Sequence, residues 1–408
     1  MKASNSHLKS MWVLLIGSAL STFGIFLSIP LVSLHAYNAF HLSVYEIGLV
    51  SGVWPATVFV FGFICGMIGD RWGYVRSIRT SAIINCAAFV TLAMAKDLET
   101  FVLGLVLFGI GKSFFDSTIR AAMTCVCLPH EREKYFRLRY MLMNIGCVVG
   151  PLVGVYAYKA MAGGAFILTS AVYVAFFLLT LAFLQISDFK IERGETPLTT
   201  FGKFVVLKDF RLLCWVASFA LVLMAYGSYE AFMPIIVEQS AGLRPSFGIL
   251  VSLNAAVVIV FQVIHLRYMK WLSFNHTVIA GIVLLMVGFL IFTVEVHVFV
   301  MSLLAVVVFS IGETLLFPCF EVFMDKIAPA HNKALYFGAG EVKQIGFFLG
   351  PLLGGMLFTA GGSQLLIAAC AFWIALAAMA LYQVHASLRG KHAPSDTVEA
   401  EALTVKVP

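Results

Sequence analysis

Residues 146–155 read GCVVGPLVGV and residues 346–355 read GFFLGPLLGG, and the likeness of these two stretches is the strongest structural signal in the chain. The first copy contributes Gly146, Gly150, Pro151 and Gly154, which recur as Gly346, Gly350, Pro351 and Gly354. The offset of 200 residues (346 − 146) is close to half of the 408-residue length. A repeat at half the chain length predicts two structurally similar halves.

The composition indicates a membrane protein. Hydrophobic residues make up 61% of the chain and charged residues 12%, against about 25% charged in soluble domains. A bilayer removes the need to cover so apolar a chain with polar surface. The net charge of +6 is not clustered, which argues against nucleic acid as a partner. The eight cysteines lie in apolar segments without a C-x-x-C pair or a histidine cluster, so we expect reduced packing residues and neither metal sites nor disulfides.

A helix needs about 20 predominantly apolar residues to cross a bilayer. The hydropathy pattern predicts twelve such spans. They fall at residues 11–36, 45–69, 77–95, 99–127, 140–160, 164–187, 210–236, 246–268, 276–295, 297–326, 334–359 and 363–386. The first span follows two lysines, as a signal peptide would, but it continues through Pro30 without a convincing cleavage site, so we expect a retained helix.

The basic residues predict the orientation. With both termini in the cytoplasm, 21 of the 27 lysine and arginine residues fall in cytoplasmic segments. Arg137 and Arg139 are counted there, in the loop before the fifth span, whereas the outside loops hold only Lys96, Lys159 and Arg244. This asymmetry is typical of the positive-inside rule and favours cytoplasmic termini.

Four parts are therefore expected along the chain. They are an N-terminal six-helix bundle (1–187), a cytoplasmic linker (188–208), a C-terminal six-helix bundle (209–386) and a cytoplasmic tail (387–408). The tail is polar and lacks hydrophobic periodicity, which predicts disorder.

The loop after the second span carries a family resemblance. It reads GMIGDRWGYVR and resembles the signature loop of the major facilitator superfamily, G-x-x-x-D-R-x-G-R-K/R. The matching residues are Gly66, Asp70, Arg71 and Gly73, with Arg76 close by, whereas Tyr74 and Val75 stand where basic residues are usual. The resemblance implies an all-α membrane protein with twelve transmembrane helices in two pseudo-symmetric six-helix bundles. It also implies that Asp70 accepts hydrogen bonds from the start of the eleventh helix, near Glu341 and Lys343, as a state-dependent latch; simple positive-inside anchoring is the alternative.

A narrower resemblance follows from the repeated word. The pattern G-x3-G-P-x2-G in the fifth span resembles the antiporter motif of the drug–proton exporters of that superfamily, and the run from Gly24 to Pro30 resembles their first-helix motif. One departure stands in the fourth span, where these exporters often carry an arginine and this chain has Leu105. Proton coupling would therefore need other residues. The glycines recur at every fourth position, which predicts a smooth helix face, and we expect it at the interface between the two halves.

Charged groups inside the spans indicate the functional site. A charge in the bilayer costs several kcal/mol, so such residues usually face a cavity and have partners. The fourth span carries Lys112, Asp116 and Arg120, spaced four apart and thus on one face. The seventh carries Glu230, and the tenth carries Glu313 and Glu321. In the family that this chain resembles, the first, fourth, seventh and tenth helices line the central cavity. The alternative is that the three residues of the fourth span only pair with one another.

The repeat extends to these charges. Aligning Gly111 with Gly312 makes Lys112 equivalent to Glu313 and Arg120 equivalent to Glu321. We expect the first pair of positions near the membrane midplane and the second about 11–12 Å toward the cytoplasm. The midplane set predicts the substrate and proton site, and Arg120 with Glu321 predicts a cytoplasmic gate.

The predicted site consists of proton-coupling residues and cavity-lining residues. Proton coupling is assigned to Asp116, Glu313 and Glu230. The substrate cavity is assigned to Lys112, Asp116, Arg120, Tyr226, Tyr229, Glu230, Glu313 and Phe317. Trp54 and Phe232 are further candidate aromatic walls, although aromatic residues in spans are more often packing residues. Asn144, Asn254 and Gln344 are expected to link helices.

The function expected from these features is export of small amphipathic molecules or drugs by proton antiport through alternating access. The chain lacks a P-loop word and an H-E-x-x-H motif, so we expect neither an enzyme nor a bound cofactor. The expected partners are a small-molecule substrate, protons and the lipid bilayer, with the protein acting as a monomer in the bacterial cytoplasmic membrane. Three alternatives remain: an exporter of one endogenous metabolite such as a siderophore, an uptake symporter, and a non-transporting membrane sensor or scaffold.

Overall fold

The protein folds as a set of long helices. The computed structural model describes residues 2–42, 44–161, 163–185, 189, 208–239, 247–269, 271–295 and 299–389. Its first half contains α1 (Lys2–Phe40), α2 (Val44–Trp72), α3 (Tyr74–Met94), α4 (Leu98–Val126), α5 (Arg132–Ala160) and α6 (Gly164–Phe183). Its second half contains α7 (Phe210–Gln239), α8 (Phe247–Tyr268), α9 (Phe274–Glu295), α10 (Phe299–Ile327), α11 (Lys333–Gly340) and α12 (Gln344–Arg389).

Ten of the described helical segments are long and apolar enough to cross a membrane. One of them, Ala330–Leu381, has 52 residues, which is about 78 Å of helix and more than a single bilayer thickness. Non-helical backbone at Gly361 and Gly362 interrupts it. The all-helical membrane fold is thus confirmed, whereas the count of twelve crossings stays a prediction. Most of the linker and most of the tail lie outside the described residues.

Local sequence accounts for the helix boundaries nearest the site. Asp97 caps α4, since its carboxylate accepts a 2.8 Å hydrogen bond from the Thr100 amide, and this bond lowers the pKa of Asp97 below its ordinary value. Gly73 separates α2 from α3 with φ of +92°, a conformation that other residues rarely adopt. These boundaries set the register of the charged residues along α2 and α4.

The helices of each half pack mainly among themselves. In the first half α1 packs on α5 and α6, and α4 packs on α2 and α3. In the second half α7 packs on α12, and α10 packs on α8 and α9. The two copies of the repeated glycine motif, in α5 and α12, lie in equivalent contacts, α5 with α1 and α12 with α7. The internal repeat of the sequence therefore has a structural basis.

The glycine stripe corrects one sequence prediction. A Cβ added at Gly154 would lie 2.1 Å from the Leu27 carbonyl oxygen of α1, and one added at Gly350 would lie 2.2 Å from the Met224 carbonyl oxygen of α7. Both contacts are within a half, so the expectation that the stripe lies between the halves was wrong. A smooth helix face shows that another backbone approaches closely, but spacing alone cannot identify that backbone.

The two halves contact each other through α2 and α11, α2 and α12, α4 and α11, α5 and α8, and α5 and α10. The ion pairs between the halves lie at one end of this contact. This end holds Arg137 and Arg139, each with a side chain only 2% exposed. The sequence analysis placed both in a loop, whereas α5 begins at Arg132 and carries them into the protein core. Both arginines can be buried because carboxylates pair with them, and a hydropathy pattern does not reveal such pairing.

Candidate functional site

The three charged residues of α4 form one column. Lys112 Nζ lies 2.6 Å from Asp116 Oδ2, and Arg120 Nη2 lies 3.8 Å from the same oxygen. The spacing of four residues stacks them on one helix face, as the sequence predicted. The column is buried, with 6% of the Asp116 side chain and 7% of the Arg120 side chain exposed.

Arg120 also reaches across to the second half. Its Nε lies 3.0 Å from Glu321 Oε1 on α10, and its Nη1 donates a hydrogen bond to Glu341 Oε1. The structure therefore brings together the two residues that the repeat aligned. Their role as a gate stays a prediction. Arg120 therefore pairs with residues of other helices as well as with Asp116, unlike the alternative in which it pairs only along its own helix.

Three residues at this site, Arg139, Glu341 and Lys343, were not among the predicted site residues. Arg139 of α5 donates to Glu321 Oε1 at 2.6 Å and to the Ser18 hydroxyl at 2.9 Å. Glu341 is completely buried and pairs with Lys343 at 3.3 Å in addition to Arg120. The available signal was the polar interruption E-V-K-Q in an otherwise apolar eleventh span. Glu341 and Lys343 form a single 3-10 turn between α11 and α12 rather than the start of the eleventh helix.

These residues form what we call the ion-pair network. It comprises Lys112, Asp116, Arg120, Arg139, Glu321, Glu341 and Lys343. Four cations and three anions alternate through it, so that every member lies within 4 Å of an opposite charge. Mutual pairing is how charges are tolerated inside a membrane protein. The network joins α4 and α5 of the first half to α10 and to the 3-10 turn between α11 and α12.

Glu313 lies in a different environment. Its Oε1 accepts a 2.7 Å hydrogen bond from the Tyr140 hydroxyl of α5, and its Oε2 accepts a 2.9 Å bond from the Asn254 amide of α8. The sequence aligned Glu313 with Lys112, but Lys112 pairs with Asp116 instead. The observed partners of Glu313 are therefore neutral hydrogen-bond donors and not cations.

Glu230 of α7 faces Glu313. Tyr226 lies one helical turn before Glu230, and its ring packs against Phe309 and Phe317, which lie one turn before and one turn after Glu313. The Glu230 side chain is exposed. We call Glu230 and Glu313 the carboxylate pair.

Aromatic rings surround the carboxylate pair. The Tyr226 ring lies 5.5 Å from that of Phe317 and 5.7 Å from that of Phe309, and the Tyr229 ring lies 5.0 Å from that of Phe309, between ring centres. Tyr140 approaches Phe317 at 6.2 Å. The other two aromatic candidates pack within their own halves, Trp54 on Phe108 and Phe232 on Phe358.

The polar links predicted between helices have mixed outcomes. Asn254 joins α8 to α10, because its amide donates to Ser310 at 2.8 Å as well as to Glu313. Asn144 instead donates to the Tyr140 carbonyl of its own helix. Gln344 approaches Glu341 at 3.4 Å, three residues away.

The signature loop is bound to the second half. Asp70 accepts hydrogen bonds from the backbone amides of Ala334 at 3.0 Å and Leu335 at 2.7 Å, in the first turn of α11. A carboxylate at a helix N-terminus is stabilised by the unpaired amides and the helix dipole. Tyr74, which replaces a basic residue of the family pattern, donates to Asp70 at 3.0 Å.

Glycine permits this close approach of α2 to α11. A Cβ at Gly66 would lie 2.2 Å from the Ala334 carbonyl oxygen. Arg71 and Arg76 are exposed at the same end of the molecule. The latch role of Asp70 remains a prediction, but its contacts differ from simple surface anchoring.

A second ion cluster closes the same end. Asp325 of α10 pairs with Arg132 of α5 at 3.0 Å and with Lys333 of α11 at 2.6 Å. From the sequence, Arg132 and Lys333 were interpreted only as charges that set the membrane orientation.

In the part of the chain that the structure describes, no group of three or more histidine, cysteine or acidic side chains has the arrangement of a metal site.

Comparison with known proteins places this geometry in a family. The model of the Major Facilitator Superfamily matches residues 14–342. An uncharacterized MFS-type transporter, YqjV of Bacillus subtilis strain 168, is 26% identical over 358 residues, covering 86% of this chain and 87% of that protein. The multidrug resistance protein MdtH of Aeromonas salmonicida strain A449 is 27% identical over 365 residues, covering 87% of each.

Solved structures have the same fold. The crystal structure of the human organic anion transporter MFSD10 matches with a TM-score of 0.72 at 15% identity, covering 93% of this chain and 99% of that one. The transporter FucP, solved in the outward conformation, matches with a TM-score of 0.73 at 13% identity and the same coverage. The buried ion pairs between two helical halves thus occur in a known transporter fold, and this chain belongs to the Major Facilitator Superfamily.

Proposed function

We propose that this protein exports small amphipathic molecules or drugs from the cytoplasm in exchange for protons, by alternating access. The observation that carries the proposal is the ion-pair network, which joins the two halves through buried side chains. Buried ionisable groups are expensive in a membrane and are kept where they move ions or substrate. The likeness to MdtH, a multidrug resistance protein, supports a substrate of drug-like size.

The location of the network supports alternation. The ion pairs, the Asp70 contacts and the Asp325 cluster all lie where the halves meet. The basic residues assign this end to the cytoplasm, so the structure corresponds to a state closed toward the cytoplasm. Breaking the pairs would open that end, and two states within a few kcal/mol of each other suffice for transport.

Three carboxylates are available to carry the proton. Asp116 has cations on both sides within the first half, and the surroundings of those cations change when Glu321 and Glu341 of the second half move away from Arg120 and Arg139. Glu313 is buried with the neutral donors Tyr140 and Asn254 around it, and Glu230 is an exposed carboxylate of α7. Protonation of any of these would remove a charge from the contact between the halves and so favour one state.

Everted membrane vesicles test this function. Energised vesicles should release protons when given a transported drug, and the Asp116→Asn and Glu313→Gln variants should lose gradient-driven transport although folded protein remains in the membrane. Glu99→Gln is the control, because Glu99 is an exposed carboxylate in the first turn of α4. Full activity of both site variants would refute the proton assignment. We further propose that the protein acts as a monomer in the bacterial cytoplasmic membrane with both termini inside.

A further inference from the structure

The carboxylate pair has no cationic partner in the described part of the chain. Neither Glu230 nor Glu313 forms an ion pair within 4 Å of a lysine, arginine or histidine there. Glu313 is held by a hydroxyl and an amide, and Tyr226 lies one helical turn before Glu230 on α7. A buried carboxylate such as Glu313 without a counter-charge requires a proton or a cation from outside the protein, and the exposed Glu230 is the acidic side chain that such a cation can reach.

The cations of the site are already paired. Lys112 pairs with Asp116, Arg120 with Glu321 and Glu341, Arg139 with Glu321, and Lys343 with Glu341. An anionic ligand would have to displace these carboxylates to reach a positive charge. The lysine and arginine of α4, taken from sequence alone, suit an anionic substrate, but their observed partners leave them little capacity to bind one.

The walls beside the carboxylate pair are aromatic. The rings of Tyr226, Tyr229 and Phe317 cluster there together with Phe309. Aromatic faces attract cations through the ring quadrupole and also accept an apolar body. The charges of the site are therefore segregated, with cations that are each paired to a carboxylate in the ion-pair network and with carboxylates that lack an ion-pair partner among the rings.

We propose that the substrate is an organic monocation with an aromatic or bulky apolar body, and that Glu230 with Glu313 binds its positive charge while Tyr226, Tyr229 and Phe317 contact its body. Glu230 is the principal anchor, because Glu313 is fixed by Tyr140 and Asn254 whereas Glu230 is exposed. That the bound cation is also transported rests on the proposed function, whereas binding of the cation does not.

Two ions of nearly equal size and opposite charge provide the test. Equilibrium dialysis of the purified, detergent-solubilised protein should show saturable binding of tetraphenylphosphonium and at least about tenfold weaker binding of tetraphenylborate. Equal or tighter binding of the borate would overturn the proposal, and this comparison needs no variant.

Variants then locate the site. Glu230→Gln should weaken tetraphenylphosphonium binding by about tenfold or more, and Glu313→Gln should weaken it less. Glu99→Gln removes an exposed carboxylate and should bind as the unaltered protein does. Unchanged binding by Glu230→Gln would refute the assignment of the anchor.

Transport measurements separate this inference from the proposed function. Selective phosphonium binding without gradient-driven movement in vesicles would refute proton-coupled export and leave the binding site intact. Proton-coupled export of anions with no phosphonium binding would refute the cation site and leave the transport function intact.

Discussion

Arg139 of α5 donates a hydrogen bond from Nη1 to Glu321 Oε1 of α10 across 2.6 Å, and this bond crosses from one half of the protein to the other. The Nε of the same guanidinium donates to the Ser18 hydroxyl of α1. A planar fork can make both bonds at once, whereas a lysine ammonium on its flexible stem fits such a pair of directions less well. Arg139 therefore ties three helices together at the end where the halves meet.

Replacing Arg139 should open that end of the transporter. Arg139→Ala leaves Glu321 with Arg120 alone, and breaking a buried pair costs up to about 3–5 kcal/mol. Cys319, a buried thiol on α10 within 3.9 Å of Arg137, can report opening through its labelling rate once the other seven cysteines are replaced. The labelling rate of Cys319 should rise by up to roughly 100-fold in Arg139→Ala. The rate in Arg139→Lys should lie between that of Arg139→Ala and that of the unaltered protein. Lys134→Ala, an exposed change on the same helix, should leave the rate unaltered.

Arg120 and Glu321 should show coupling in a double-mutant cycle. Either single change to alanine leaves a buried charge short of a partner, so the double variant should lose less transport than the sum of the single losses. The charge swap Arg120→Glu with Glu321→Arg should rescue only part of the activity, because the new glutamate would face Glu341. Additive losses without rescue would show that the two residues do not act together.

Asp70 should stabilise the closed end through the first turn of α11. Asp70→Asn removes the charge that faces the Ala334 and Leu335 amides, an interaction of about 0.3–1 kcal/mol at a helix N-terminus. We expect Cys319 labelling to increase roughly two- to fivefold. Asp97→Asn makes the same change at the cap of α4, away from the contact between the halves. A similar increase from this control would mean that the effect is not specific to the latch.

The glycine stripe should be necessary for folding of each half. Gly154→Ala places a Cβ 2.1 Å from the Leu27 carbonyl oxygen, and overpacking of this kind costs about 1–3 kcal/mol. Gly355→Ala makes the same chemical change where the Cβ meets only the Phe232 ring at 3.4 Å. The first variant should have a lower midpoint in thermal unfolding followed by size-exclusion chromatography, and the second should not. Equal midpoints would contradict the α1–α5 contact.

The orientation can be checked without the structure. Reporter fusions at Thr199, in the predicted linker, and at Arg389, after the last predicted span, should both give a cytoplasmic signal because the basic residues are so unequally distributed. A periplasmic signal at either position would overturn the assignment of the closed end to the cytoplasm.

The ion-pair network shows how far the sequence reached. Lys112, Asp116, Arg120 and Glu321 were identified because a charge inside an apolar span is conspicuous. Arg139 was not, because it stands next to a run of basic residues and was counted as part of a loop. Glu341 was noticed only as a neighbour of Asp70, since nothing local indicates that its partner is Arg120, 221 residues away along the chain.

The sequence by itself determined the membrane fold, the internal repeat and the identity of most buried charges, because hydropathy, glycine spacing and the cost of a charge in lipid are local properties. Only the tertiary structure decided which charges pair, that the glycine stripe packs within each half, and that Glu230 and Glu313 lack a cationic partner among the described residues. These depend on which helix faces are brought together, and a helix presents the same residues whichever neighbour it meets.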